Sequence, residues 1–351
     1  MNVIYATGAR FAGSGIGTTS YHTAAGLARH GMLGRVLCGS AAATSGFPAD
    51  RVRALGGPSR VLRKLASLEA TRTLWYLESL LFEAWACRQL QREHADLLHV
   101  WSNYGLGLIR RAKRLGMVTV LERGSTHPLY QDRLLRAEYA RWGLRYRAPG
   151  AALCRIAAEL READRILVPA EQVRDTFLGE GFPAERLLEL PYGADVDRFR
   201  PADDSGGQSA RRFRVLFVGQ VGVRKGVPYL LEAWRALDWR DAELWLVGRV
   251  EPGFEQVLPR WQGLSGVRLL GHMPDPAAVY QGADIFAFPS LEEGSALVTY
   301  EALASGLPLV TTLEAGSVAR DEVEGLLVGP RAVGALAAAL ERLRADEPLR
   351  R

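Results

Sequence analysis

Short apolar runs recur along the chain, and most are followed by a stretch whose apolar residues fall at helical spacing. In the first half these runs predict strands over residues 3–7, 35–39, 96–101, 117–122, 165–169 and 187–191, with helices over 18–29, 61–93, 104–115 and 170–179. The pattern then restarts. Strands are predicted over 213–219, 243–248, 267–271, 285–289, 308–312 and 325–328, with helices over 227–237, 254–261, 276–281, 296–305 and 333–344. Runs that are apolar throughout suit parallel strands covered on both faces. Strand alternating with helix, twice over, predicts an α/β chain of two doubly wound domains. The polar stretch A-D-D-S-G-G-Q-S at 202–209 marks the connection, so the expected boundaries are 1–200, a linker at 201–212, and 213–351.

Composition agrees with two domains: 351 residues with 48% hydrophobic content can bury a large core. The first residues run straight into a strand, without the basic and apolar regions of a secretory signal, and no run of apolar residues is long enough to span a bilayer. A soluble, cytoplasmic chain is expected. Cys38, Cys87 and Cys154 are far apart and lack partners at metal spacing, which predicts neither disulfide nor structural zinc. Charge is uneven, +9 over residues 1–200 and −4 over 201–351, with 18 basic against 8 acidic side chains within 51–150. That asymmetry fits an acidic partner such as nucleic acid, an anionic lipid surface or a phosphorylated acceptor, and equally a solvated basic surface. In 61–93, Trp75, Tyr76, Phe82 and Trp85 stand among Arg60, Arg63, Lys64, Arg72, Arg88 and Arg92. A membrane-surface helix is one reading, and a core helix is the favoured one.

The most informative stretch is 289–308, P-S-L-E-E-G-S-A-L-V-T-Y-E-A-L-A-S-G-L-P, read as strand, loop and helix. Ser295 is a fair N-cap, and the amides of the helix it opens would suit an anion beyond the strand end. Glu293 precedes the first turn, and Glu301 lies about two turns along, leaning back toward it. Carboxylates beside a phosphate make sense if they accept hydrogen bonds from sugar hydroxyls. Their plain alternatives are dipole complement and ordinary helix former. Arg224-Lys225, at the top of the 213–219 strand, is a candidate diphosphate clamp. Gly8, Gly13, Gly15 and Gly17 allow close backbone approach, but the spacing is G-x-G-x-G and 35–39 ends without a ribose-binding acid, which argues against NAD. His127, in the loop after 117–122, is a candidate polar contact or proton carrier, or a plain loop histidine. Asp195-Val196-Asp197 matches a metal-binding D-x-D pattern, but its place beside a turn predicts capping and no metal.

Together these features resemble the GT-B glycosyltransferases, specifically the large retaining family 4. The resemblance rests on V-G-Q-V-G-V-R-K-G at 218–226, on 288–310 with seven residues between Glu293 and Glu301, and on P-Y-G-A-D-V-D-R-F at 191–199. It covers essentially the whole chain. It implies two Rossmann-like domains with a cleft between them, the first on the acceptor side and the second holding the donor. By position, Arg224 and Lys225 would neutralise the donor diphosphate, with the backbone of Ser295, Ala296 and Leu297. Glu301 would hold the ribose, Glu293 the transferred sugar, and the backbone near Gly271, His272 and Met273 the base. Gly15 and Gly17 would admit the donor phosphates, and His127 is the nearest match to the family's histidine.

The implied reaction is retaining transfer of a sugar from a nucleoside-diphosphate donor to a hydroxyl of a lipid-linked glycan, polysaccharide or small glycoside. A diphosphate oxygen would take the acceptor proton, with no metal or other cofactor. Nucleic acid is not an implied partner, whereas the inner membrane face is one for the basic half. Two alternatives stand: an epimerase or hydrolase on the same fold, and a non-catalytic nucleotide-binding module. The chain departs from the family at Gln220, where many members carry Arg. His127 stands several residues past the usual place, which leaves Glu122 as a rival. The chain ends at Arg351, where family members usually return a final helix to the first domain.

Overall fold

The computed structural model describes residues 1–13, 15–42, 47–57, 59, 61, 73–146, 150–202 and 212–350. Most of the expected linker lies outside them, as do Arg60, Arg63, Lys64 and Arg72. The chain divides into two compact units. One comprises Met1–Asp132, Arg147–Val168 and Thr176–Leu190, and the other Arg133–Tyr146, Pro169–Asp175 and Pro191–Arg351. Each is a Rossmann-like α/β domain built on one parallel sheet.

The first unit holds β1 (Val3–Phe11), β2 (Leu33–Ala41), β3 (Val52–Ala54), β4 (Leu97–Trp101), β5 (Val118–Glu122), β6 (Arg165–Val168) and β7 (Leu187–Glu189), in the order β3-β2-β1-β4-β5-β6-β7. β1 is longer than its apolar run, because its register with β2 shifts after Thr7 and pairing continues at Arg10. Gly8 therefore belongs to the strand, and a Cβ there would collide with the Tyr104 ring. The helices include α1 (Ile16–Arg29), α2 (Thr73–Leu90) and α3 (Leu106–Arg114). In α2, Phe82 is fully buried and packs edge-on against Tyr104, with centroids 5.8 Å apart. Phe82 is thus a core residue, and Trp75, Tyr76 and Trp85 are half-buried.

Two helices, α4 (Pro128–Arg141) and α5 (Gly150–Glu162), fall where apolar spacing predicted no element. The reason is that both bury charge. Glu138 is fully buried and accepts hydrogen bonds from Tyr229 and, at 2.6 Å, from Arg331. Glu159 is fully buried and accepts the amides of Asn103 at 2.7 Å and Gly105 at 2.8 Å. A carboxylate facing inward blurs the apolar stripe that reveals a helix.

The second unit holds β8 (Phe213–Val218), β9 (Ala242–Val247), β10 (Val267–Gly271), β11 (Ile285–Phe288), β12 (Leu309–Thr311) and β13 (Gly325–Leu327), in the order β10-β9-β8-β11-β12-β13. Its helices include α6 (Glu171–Gly179), which begins in this unit, then α7 (Val227–Leu237), α8 (Ala277–Gln281), α9 (Leu297–Ala304) and α10 (Val333–Ala345). The expected helix over 254–261 is two short 3-10 turns, Phe254–Gln256 and Leu258–Trp261, broken before Pro259. From β8 the chain runs outward through β9 and β10, then returns on the other side as β11. Strand order thus reverses between β8 and β11, the place where open α/β sheets bind ligands. β11 is wholly buried, and Phe288 stacks on Phe217 at 5.5 Å.

Asp195 accepts the backbone N–H of Asp197 at 3.1 Å and of Arg198 at 3.3 Å, so it stabilises its own turn. Among the described residues no helix is long and apolar enough to cross a membrane, and Cys38, Cys87 and Cys154 are not joined in disulfides.

Candidate active site

The loops that follow β8 and β11 are stitched together at the reversal point. Leu291 N–H donates to the Arg224 carbonyl at 2.9 Å, and the Ser290 hydroxyl reaches the same oxygen at 3.3 Å. Gly226 has φ of 71°, and a Cβ there would collide with the Pro289 carbonyl. Only glycine permits both the turn and the approach. This contact fixes where Arg224 and Lys225 stand.

Both cations meet acids from the second loop. Arg224 donates to Glu292 at 2.9 Å and lies 3.5 Å from Glu293, while Lys225 pairs with Glu293. The Glu292 side chain is fully buried. After β9, Glu251 accepts the Val223 amide at 3.2 Å and the Tyr139 hydroxyl, and its charge also acts on Arg224 and Lys225. Burial raises the Tyr139 phenol, and Glu251 adds to that. Burial, followed by the neighbouring Arg224, pushes the Lys225 ammonium well below the ordinary lysine value, against Glu292 and Glu251. Three carboxylates therefore surround two cations. A diphosphate entering here would replace protein anions as counter-ion to Arg224 and Lys225.

Ser295 does not cap the helix. α9 opens from Ala296 without a side-chain cap, and the Ser295 hydroxyl instead meets the Tyr300 hydroxyl at 2.6 Å and the Gly316 carbonyl at 2.9 Å. The Ala296 N–H donates to the Ala315 carbonyl at 3.0 Å, so that amide, one of three expected to face an anion, is committed within the protein. Leu297 begins the helix proper. Gln172 holds the loop from another side, its Nε2 donating to the Gly294 carbonyl at 3.0 Å. Glu301, on α9, accepts the Tyr280 hydroxyl at 2.8 Å. Burial raises its carboxyl, while Tyr280 and Arg198 work the other way. Met273 follows β10 and packs, half-buried, against the core of this unit.

The remaining candidates lie in the first unit. Gly15 has φ of 60°, opens α1, and has open space where a Cβ would be. Gly17 has a structural reason to be glycine, since a Cβ there would collide with the Arg10 carbonyl. His127 is buried, its backbone N–H donating to the Thr176 hydroxyl at 2.9 Å and its ring edge-on to Phe177 at 5.0 Å. Its rival Glu122 is engaged by His99 at 2.9 Å and Tyr5 at 3.3 Å inside the sheet. The structure thus gathers Arg224, Lys225 and Glu293 and supplies Glu251, Glu292, Tyr139, Gln172 and Tyr280, which spacing did not single out.

Comparison with known proteins gives the family and the fold. Residues 212–346 match the family profile described as glycosyl transferases group 1, and residues 13–198 match glycosyltransferase family 4. The MMP alpha-(1->4)-mannosyltransferase of Mycolicibacterium hassiacum is 31% identical over 306 residues, 80% of this chain and 69% of that protein. Other curated relatives match over about half of their own length. Among solved structures, the sucrose-phosphate synthase of Thermosynechococcus elongatus superposes with a TM-score of 0.77 at 20% identity, over 100% of this chain and 92% of that one. Anabaena Alr3699/HepE, solved with UDP and glucose, gives 0.68 at 16% identity, over 100% and 91%.

Proposed function

Because this chain belongs to glycosyltransferase family 4, we propose that it moves a sugar from a nucleoside-diphosphate donor to a hydroxyl acceptor with retention of anomeric configuration. The observation that carries the reading is the cluster at the β8–β11 reversal, where Arg224 and Lys225 are held against Glu292 and Glu293. Departure of the nucleoside diphosphate builds negative charge on its oxygens. Arg224 and Lys225 stabilise that charge as it develops. Glu301 binds the ribose diol and Glu293 the hydroxyls of the transferred sugar.

The acceptor oxygen attacks the anomeric carbon on the face the leaving group departs from, and its proton passes to a diphosphate oxygen. The new C–O bond thus replaces the old one on the same face. No metal is required, since the two cations supply the counter-charge. His127 is the candidate polar contact or proton carrier, and the acceptor is a glycan, a lipid-linked glycan or a small glycoside.

Two features of the similar proteins set the order of trial: mannosyl transfer in the name of the Mycolicibacterium relative, and UDP with glucose in HepE. The test is a thermal-shift screen against UDP-, GDP-, ADP- and dTDP-sugars, because a ligand bound only by the folded state raises its stability. Transfer is then followed by NMR of the product's anomeric proton. An inverted product ends the retaining proposal. Free sugar or an epimer formed without acceptor favours a hydrolase or epimerase, and binding without transfer across a broad acceptor panel favours a non-catalytic module.

A further inference from the structure

We infer that Tyr280 is a positioning residue of the nucleotide site, its phenol fixing the Glu301 carboxylate in the orientation that meets a vicinal diol. The inference rests on Glu301 as the ribose ligand and adds the residue through which Glu301 is held. Tyr280 is fully buried on α8, and its hydroxyl donates to Glu301 Oε2 at 2.8 Å. The ring has little freedom, because Phe199 meets it edge-on at 5.6 Å and Phe286 packs against it at 5.6 Å. A ring held on two sides points its hydroxyl one way. An ionised carboxylate offers about four acceptor positions, so one bond from Tyr280 orients the group and leaves the rest for hydroxyls.

The groups acting on this carboxylate come from two elements. Tyr280 stands on α8, and Arg198 on the segment after Tyr192, where it pairs with Asp275 at 2.9 Å. Burial raises the Glu301 carboxyl and both neighbours lower it. Loss of the phenol therefore has a signature that lost packing lacks: the acid side of ligand binding moves to higher pH.

The test uses the full chain, with UDP-glucose, GDP-mannose, ADP-glucose and dTDP-glucose as probes, continuing with whichever raises the wild-type melting temperature most. Tyr280→Phe is expected to weaken that probe roughly 10- to 150-fold, the worth of a hydrogen bond to a charged group. Donor KM rises while kcat holds, and the acid limb of binding moves upward. Glu301→Gln abolishes the limb, and in Glu301→Ala, which leaves Tyr280 no carboxylate to hold, adding Tyr280→Phe weakens binding no further. Equal weakening in both backgrounds, or an unmoved limb in the single variant, overturns the inference. Should the Phe variant not fold, 3-fluorotyrosine at position 280 keeps ring and hydroxyl while making the phenol a stronger donor. The limb then moves to lower pH, and a limb that stays put overturns the inference. Wild-type affinity in Glu301→Gln, or no stabilisation of the wild type by any probe, removes the nucleotide-site reading itself and the inference with it.

Discussion

Glu292→Gln separates two roles that the geometry gives to one carboxylate. Glu292 is 1% exposed, and its partner Arg224 lies 2.9 Å away. Removing one partner of a buried pair costs about 3–5 kcal/mol when the other is left alone. Arg224 keeps Glu293 at 3.5 Å, and glutamine keeps an acceptor oxygen, so the loss in the empty protein is set at about 2–3 kcal/mol. For a domain of this size that lowers Tm by roughly 4–12 °C. In the nucleotide-bound protein the sign reverses. A unit charge about 6–8 Å from a phosphate charge repels it by roughly 2–3 kcal/mol at an effective dielectric constant near 20. Relief of that repulsion, less some loss of Arg224 placement, tightens nucleotide-sugar binding by about 1–2 kcal/mol. The assay is a pair of melting curves for each protein, with and without saturating nucleotide-sugar. The variant is expected to melt lower alone and to gain more from ligand than wild type. A smaller ligand-induced shift refutes the reasoning, because it makes Glu292 the support that aims Arg224 and not a negative charge that opposes the diphosphate.

Lys225→Ala is expected to reduce kcat/KM by about 2–4 kcal/mol of transition-state stabilisation, read from initial rates once a donor is found; unchanged turnover removes Lys225 from the clamp. The lowered ammonium of Lys225 also links binding to protons. A diphosphate favours the charged form, so nucleotide-sugar affinity falls as pH rises through the lysine's free-protein value, and calorimetry in buffers of different ionisation enthalpy records proton uptake that Lys225→Ala abolishes. Burial raises the Glu159 carboxyl to about 7, ahead of the opposing amides of Gly105 and Asn103. The unfolded chain loses this proton first as pH rises, so stability falls by about 2–4 kcal/mol from near pH 4.5 to 7, and denaturant titrations of Glu159→Gln should show a flatter profile over that window. Gly226→Ala meets both a left-handed φ and the Pro289 carbonyl, and should cost roughly 1–3 kcal/mol or more in a denaturation midpoint while weakening nucleotide binding.

What the sequence made legible follows from what local spacing can encode. α7 begins and ends where its apolar periodicity predicts, helped by Pro228 in its first turn. The strands of both sheets, β3 apart, sit under their apolar runs, give or take a few residues. Local spacing fails where a side chain's partner lies far away in the chain. Ser295 has the composition of a cap, yet its hydroxyl is taken by Gly316 across the fold. β3 is an edge strand, Val52-Arg53-Ala54, that is not buried and so carries no apolar run. Tyr139 and Glu251 are 112 positions apart, and nothing near either announces the other.

Glu292 and Glu293 show the same limit at close range. They are adjacent and chemically identical, and both approach Arg224. The seven-residue spacing to Glu301 selects Glu293, but spacing alone gives no reason for the selection. Accessibility does. The Glu292 side chain is fully buried, whereas that of Glu293 keeps 12% of its surface exposed and reaches Lys225 as well. A carboxylate that grips a ligand must be reachable and must have a contact it can exchange. On the proposed function, Glu293 would trade its Lys225 contact for sugar hydroxyls when a diphosphate takes over the lysine. Glu292, sealed behind Arg224, can only tune the charge that the diphosphate meets.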